Sequence, residues 1–99
     1  MARTWPPKDP EEVLDYGFNW SPRNLGDDVI LTITADTIEG SVHVDSTYVA
    51  PVEGASAAQG TITWLSGGEA GETCLVLLHA LTRDGRELEQ TMKIRIKDR

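Results

Sequence analysis

"TCLVLLHALTRDGRELEQTMKIRIK", residues 73–97, decides the fold. In its second half Leu88, Met92, Ile94 and Ile96 fall on one side of a two-residue period. Glu87, Glu89, Thr91, Lys93, Arg95 and Lys97 fall on the other, with Gln90 the only polar residue on the inward side. A period of two held this long describes a strand with one buried and one solvated face. The first half, "TCLVLLHALT", is apolar on both faces, which predicts a strand covered on both sides at the centre of a sandwich sheet, with a buried helix as the alternative. Asp84-Gly85 decides for the strand, because Asp-Gly between two β-rich runs is a strong local hairpin signal.

Outward from this hairpin the same logic recurs. "DVILTITAD" (28–36) is rich in β-branched residues, and Leu31, Ile33 and Ala35 alternate with Thr32 and Thr34. "SVHVDSTYV" (41–49) sets Val42 and Val44 against His43 and Asp45. "TITWLS" (61–66) places Ile62 and Trp64 on one face, expected to point inward, and the glycines of "SGGEAGE" (66–72) permit the reversal that follows. "APVEGASAAQG" (50–60) has no period and reads as a loop, the segment expected to move most. Five strands, Gly-rich turns and no long helix predict an all-β protein, a small antiparallel immunoglobulin-like or fibronectin-like β-sandwich. The Cys and Trp spacing of antibody domains is absent.

The front of the chain differs. "WPPKDPEEVLDYGFNW" (5–20) holds two of the three Trp, three of the five Pro, and no strand period. Its prolines fix φ and favour an extended path; Asp9 can cap a single turn with Pro10 in the first position, and Gly17 ends it. These features divide the chain into an extended N-terminal arm over residues 1–25 and a β-sandwich domain over 26–99. Phe18 and Trp20 can cover an open end of the sandwich. Trp5 is expected to stand away from the body behind Pro6 and Pro7, and an exposed Trp of this kind calls for a partner chain to cover it. Such an arm would add little to the stability of the body.

Ninety-nine residues make one domain. Hydrophobic residues at 39% and charged residues at 25% suit a folded chain. The net charge of −7 gathers at the front, where residues 1–40 carry 3 basic and 8 acidic groups against 6 and 8 in residues 41–99. That balance argues against nucleic acid, "KIRIKDR" at the C-terminus being the counter-signal. No stretch approaches the roughly 20 apolar residues of a membrane span, and no leader is expected, which suggests a protein made in a cytoplasm. Cys74 reads as a small buried hydrophobe and the sequence supplies no second Cys for a disulfide. His43 and His79 lack the neighbours that nucleophilic catalysis or zinc binding needs. "NLGDD" (24–28) could hold calcium, but a turn before a strand uses the same residues. "SGGEAG" lacks the Lys, the Ser or Thr and the helix of a phosphate cradle. No catalytic residue, metal site or cofactor is expected.

Taken together, "KDPEEVLDY", Trp20, "SGG" followed by "AG", and "DGR" before a basic tail resemble small tailed-bacteriophage virion proteins of the fiber-tail adaptor or neck and tail-associated type. The resemblance is specific over Lys8–Tyr16 and Ser66–Arg99 and loose over residues 28–60. This sequence departs from it in the Asn before Trp20 and in Cys74. It implies an immunoglobulin-like body and a non-enzymatic structural role in the virion, joining neck or tail to fiber components after synthesis in the bacterial host cytoplasm. It implies further that the front segment binds other virion structural proteins through Trp5, Pro6, Pro7, Val13, Leu14, Tyr16 and Trp20, and that the chain forms a homo-oligomer or ring. Two alternatives make similar demands on sequence. One is a capsid decoration protein. The other is a carbohydrate or host-surface binding module, in which Trp64, Tyr48 and the 50–60 loop form a platform, and this one requires those aromatics to be exposed on one face.

Overall fold

The computed structural model describes residues 2–56 and 58–98; Met1, Ala57 and Arg99, which fall in the expected arm, the 50–60 loop and the basic tail, lie outside the described residues. Among the described residues seven strands follow one another, two more than the five expected: β1 (Arg3–Thr4), β2 (Leu14–Asn19), β3 (Ile30–Glu39), β4 (Val42–Val49), β5 (Gly60–Gly67), β6 (Thr73–Thr82) and β7 (Glu87–Arg95), with a 3₁₀ turn at Ser21–Arg23. One sheet has the order β1-β7-β6-β3 and the other β2-β5-β4. Every ladder is antiparallel except β1 with β7, the first strand beside the last. This is an immunoglobulin-like topology: the third, sixth and seventh strands form one sheet and the second, fifth and fourth the other.

The β6–β7 hairpin lies where Asp84-Gly85 predicts it. Its loop is longer than two residues, because Thr82 N–H donates to Arg86 O at 3.0 Å. Gly85 takes the left-handed position (φ 93°) that closes such a loop. Between β3 and β4 the chain passes from one sheet to the other at Gly40. With φ at 93°, a Cβ there would lie 2.4 Å from Cys74 Sγ, so only Gly fits this corner.

The core fills the space between the sheets. Val76, Leu78, Ala80, Met92, Ile94 and Ile96 face Tyr16, Phe18, Val42 and Leu65, all buried. Gln90 is buried on the inward side of β7, as its position in the alternation requires.

Three strand faces differ from expectation. On β5 it is Thr61 and Thr63 that are buried, while Ile62 and Trp64 lie on the outer face. Inward threonines are tolerated because each hydroxyl is bonded: Thr61 Oγ1 accepts from Trp20 Nε1 at 3.0 Å and Thr63 Oγ1 pairs with Thr47 Oγ1 at 3.0 Å. On β3 a bulge between Ile30 and Thr32 turns Ile30 into the core and leaves Leu31 59% exposed, so Leu31 is not a core residue. On β6 one face is sealed, but Leu75 and Leu77 on the other are only half-buried and Leu81 is 39% exposed. The strand expected to be covered on both sides is covered on one.

Candidate protein–protein interface

The N-terminal segment is extended, but it lies along the body. Trp5 N–H donates to Lys93 O at 2.9 Å, Lys8 N–H to Arg95 O at 3.0 Å, and Lys97 N–H to Lys8 O at 2.8 Å. An edge strand needs donors on one side only, so Pro6 and Pro7 between these contacts do not interrupt it. From this edge Trp5 reaches across to the other sheet. It stacks on Tyr16 with centroids 5.1 Å apart, and its Nε1 donates to Gly17 O at 3.0 Å. Phe18 meets Trp20 edge-on at 4.7 Å. After Lys8 the chain crosses between the sheets through a turn that Asp9 caps as expected: Asp9 Oδ1 accepts from Glu11 N–H at 2.8 Å and Glu12 Oε1 accepts from Asp9 N–H at 2.8 Å. The turn closes at Glu12, whereas Gly17, expected to end it, lies inside β2, a strand that the front segment was not expected to contain.

The expectation of a detached arm is therefore corrected. Trp5, Tyr16 and Trp20 are core residues, and Leu14 is half-buried against them. The prolines stiffen the segment into a strand conformation instead of holding it off. Of the seven residues assigned to partner binding, Pro6, Pro7 and Val13 remain exposed, Val13 at 57%.

Lys8, which no sequence pattern marks, is completely buried. Its Nζ donates to Asp9 O at 2.8 Å and to Gly67 O at 2.6 Å. Burial lowers its pKa, against the pull of the Glu12 and Asp9 carboxylates. Beside Gly67 the "SGGEAGE" turn is locked in place: Gly71 N–H donates to Ile96 O at 2.8 Å and Ile96 N–H to Glu72 O at 2.9 Å. Glu72 Oε1 then gathers Ser41 Oγ at 2.6 Å, Ser41 N–H at 2.9 Å, Cys74 Sγ at 3.0 Å and Glu69 N–H at 3.2 Å. The donors from Cys74 and Ser41 hold its carboxyl at about 2. Burial pushes the Cys74 thiol up, the direction of an unreactive thiol.

The opposite end of the sandwich has a similar node. Asp28 Oδ1 accepts from Val29 N–H at 2.9 Å and Asp84 N–H at 3.0 Å, and Oδ2 forms an ion pair with Arg86 at 2.7 Å. Asp28 serves the turn, as the structural interpretation of "NLGDD" expects. Gln59 is a second residue the sequence did not reveal: buried, it donates from Nε2 to Gly26 O and Asp28 O at 2.9 and 2.7 Å, while Trp20 N–H donates to its backbone carbonyl at 2.9 Å. These bonds tie the 50–60 loop to the body. His43 Nδ1 and Ser66 Oγ both contact Asp45 Oδ1, at 2.7 and 2.9 Å. In this order the carboxylate stands between Ser and His, so the imidazole cannot take the hydroxyl proton as a triad requires. Among the described residues no group of three or more His, Cys, Asp or Glu could hold a metal ion.

The large side chains left outside collect on the two outer sheet faces. On the three-stranded sheet Trp64 Nε1 donates to Tyr48 Oη at 2.8 Å, and Tyr48 is 44% exposed. Trp64 pairs with Asp15, and Val13 continues the same outward alternation on the N-terminal side of β2. Val52, folding back from the loop, would lie 3.2 Å from a Cβ on Gly17 and completes the apolar area beside Ile62. A Trp and a Tyr held on a solvent face by each other are amphipathic anchors of the kind enriched at binding surfaces.

The geometry is that of an immunoglobulin-like sandwich whose buried polar nodes serve its own turns and whose exposed aromatic pair lies on a sheet face. The chain belongs to the family described as podophage GP4 fiber-tail adaptor protein gp77, whose family model matches residues 8–95. The match begins at the buried Lys8 and ends at the last residue of β7. No curated protein gives a significant match. Family membership makes the chain a bacteriophage structural protein of the fiber-tail adaptor class.

Proposed function

We propose that this protein is a non-enzymatic peg in the virion, joining tail or neck components to fiber components, and that the outer face of the β2-β5-β4 sheet is its contact with the neighbouring virion protein. The hydrogen-bonded pair Trp64–Tyr48 carries this proposal, because it fixes two large rings outward with little further entropy to lose on binding. Exposed Val13 extends the contact along β2, and Pro6 and Pro7 are also exposed in the N-terminal segment. The protein would be synthesised in the host cytoplasm and enter the particle already folded.

Cognate tail particles assembled without this chain and then supplied with variants test the assignment. Trp64→Ala and Tyr48→Ala should fold normally and weaken incorporation by roughly tenfold or more. Full incorporation of the double variant would overturn the assignment of this face. Because Trp64 and Tyr48 do point outward, a glycan platform is the second interpretation the geometry favours. Glycan binding lost in the same variants, with normal assembly, would select it.

A further inference from the structure

The outer face of the four-stranded sheet is also uncovered, and its pattern differs from that of the other face. Leu75, Leu77 and Leu81 run down β6, and Leu31 and Ile38 (54% exposed) stand on β3 at the sheet edge. Beside the leucines, the outward residues of β7 read Glu87, Glu89, Thr91, Lys93, Arg95. The signs reverse about Thr91, with equal spacing on both sides. Leu77 pairs with Thr91, so the apolar stripe and the charge row share one centre. A shallow depression of about 430 Å³ lies there, lined by Ala2, Arg23, Leu77, Glu89, Gln90 and Thr91.

We propose that this face binds a second copy of the same chain about a twofold axis running across the strands at the level of Leu77 and Thr91. Such an axis reverses the strand direction and lays β7 on the partner's β7. Glu87 then meets Arg95 of the second copy, Glu89 meets its Lys93, and Leu77 meets Leu77. An isologous contact must be self-complementary, and a charge row that inverts about its midpoint satisfies this condition. A heterologous partner would place no such symmetry on the strip. Two of the other charged groups of the face are already engaged: His79 Nε2 lies 3.2 Å from Glu87, and Arg23 donates to Glu89 O at 3.2 Å and to the side chain of Gln90. Asp36 is level with Leu77 and meets Asp36 of the second copy at the sheet edge, a single exposed like-charge pair set against the four opposite-charge pairs of the β7 rows. Strand spacing and rise give a sheet face of roughly 450 Å² per copy, near the lower limit for a specific contact, so the isolated pair is weak and is reinforced when several contacts act together.

Sedimentation equilibrium of the full chain at low salt, from about 10 µM to 1 mM, tests the proposal. The wild type should show a monomer–dimer equilibrium that weakens with salt. Glu89→Lys and Lys93→Glu should each weaken self-association by about tenfold, since each places two like-charge pairs across the axis. A mixture of the two variants should associate again as a heterodimer, and the chain carrying both substitutions should dimerise like the wild type. Leu77→Lys should be monomeric while keeping its circular dichroism spectrum. A wild type that stays monomeric throughout, a dimer indifferent to these substitutions, or a mixture that fails to associate would overturn it.

Discussion

Lys8 Nζ donates to the carbonyl of Gly67 at 2.6 Å, across 59 positions of sequence. The contact joins the crossing between the sheets to the start of the glycine turn, and both ends lie in the segments on which the family resemblance rests. Lys8→Met preserves the aliphatic stem and leaves the carbonyls of Asp9 and Gly67 without their shared donor. Losing that donor should cost about 1–3 kcal/mol in chemical denaturation. Because burial lowers the folded-state pKa of Lys8, the unfolded chain holds this proton more tightly as the pH approaches 10.5, and the wild type should gain stability in that range. The Met variant should lack this gain. An unchanged alkaline profile would mean that the amine reaches solvent.

Trp5 is buried in a joint between the sheets, so its removal should act on the domain before it acts on any assembly. Trp5→Ala takes away the stack on Tyr16 and the bond to Gly17 O. A loss of about 3–5 kcal/mol is expected for a large aromatic in a core, and deletion of residues 1–12 should unfold the isolated domain. Equal melting temperatures for wild type and variant would restore the detached arm.

The origin of that difference shows which features the sequence carries. Alternation in β7, the Asp-Gly hairpin and the glycine turns are local signals, and the structure follows them. The destination of Trp5 is not local. It depends on a parallel pairing with β7, whose residues lie nearly the whole chain away, and on Tyr16 waiting in the opposite sheet. The inversion of β5 has a related cause: a Thr-X-Thr face reads as polar until Trp20 and Thr47 supply the hydrogen bonds that permit its burial. Lys8 and Gln59 look like surface residues in any window of sequence, because Gly67 O for Lys8, and Gly26 O and Asp28 O for Gln59, come from distant parts of the chain. The outward pair Trp64–Tyr48 was legible as residues, and its placement followed only once the face of β5 was known.

Gly40 allows a sharper test of the corner between β3 and β4. Any Cβ there meets Cys74 Sγ at 2.4 Å and must also adopt φ near 93°. Gly40→Ala should destabilise by more than about 1 kcal/mol, beyond the usual cost of a left-handed Ala, because the neighbour is packed in the core. Gly71→Ala is the control for conformation alone, since a Cβ at Gly71 meets nothing within 4 Å at φ 91°. If the two variants lose the same stability, the close approach to Cys74 contributes nothing.

Acid should loosen the two ends of the sandwich together. Burial would raise the Asp28 carboxyl, but hydrogen bonds from Thr82, Arg86, Asp84 N–H and Val29 N–H outweigh it and bring the group from 3.8 to about 2. Glu72, held by Cys74 and Ser41, falls from 4.5 to about 2. Both groups bind protons more weakly folded than unfolded. The stability they contribute is complete above about pH 5 and is lost as the pH falls through about 4 towards 2. Melting temperature measured from pH 7 to pH 2 should therefore drop steeply over the last three units. Asp28→Asn and Glu72→Gln each remove one titrating group, so each variant should start less stable at pH 7 and show a flatter acid limb, flattest in the double variant. A double variant that keeps the wild-type slope would show that other carboxylates govern acid unfolding and that the two nodes hold their turns without help from charge.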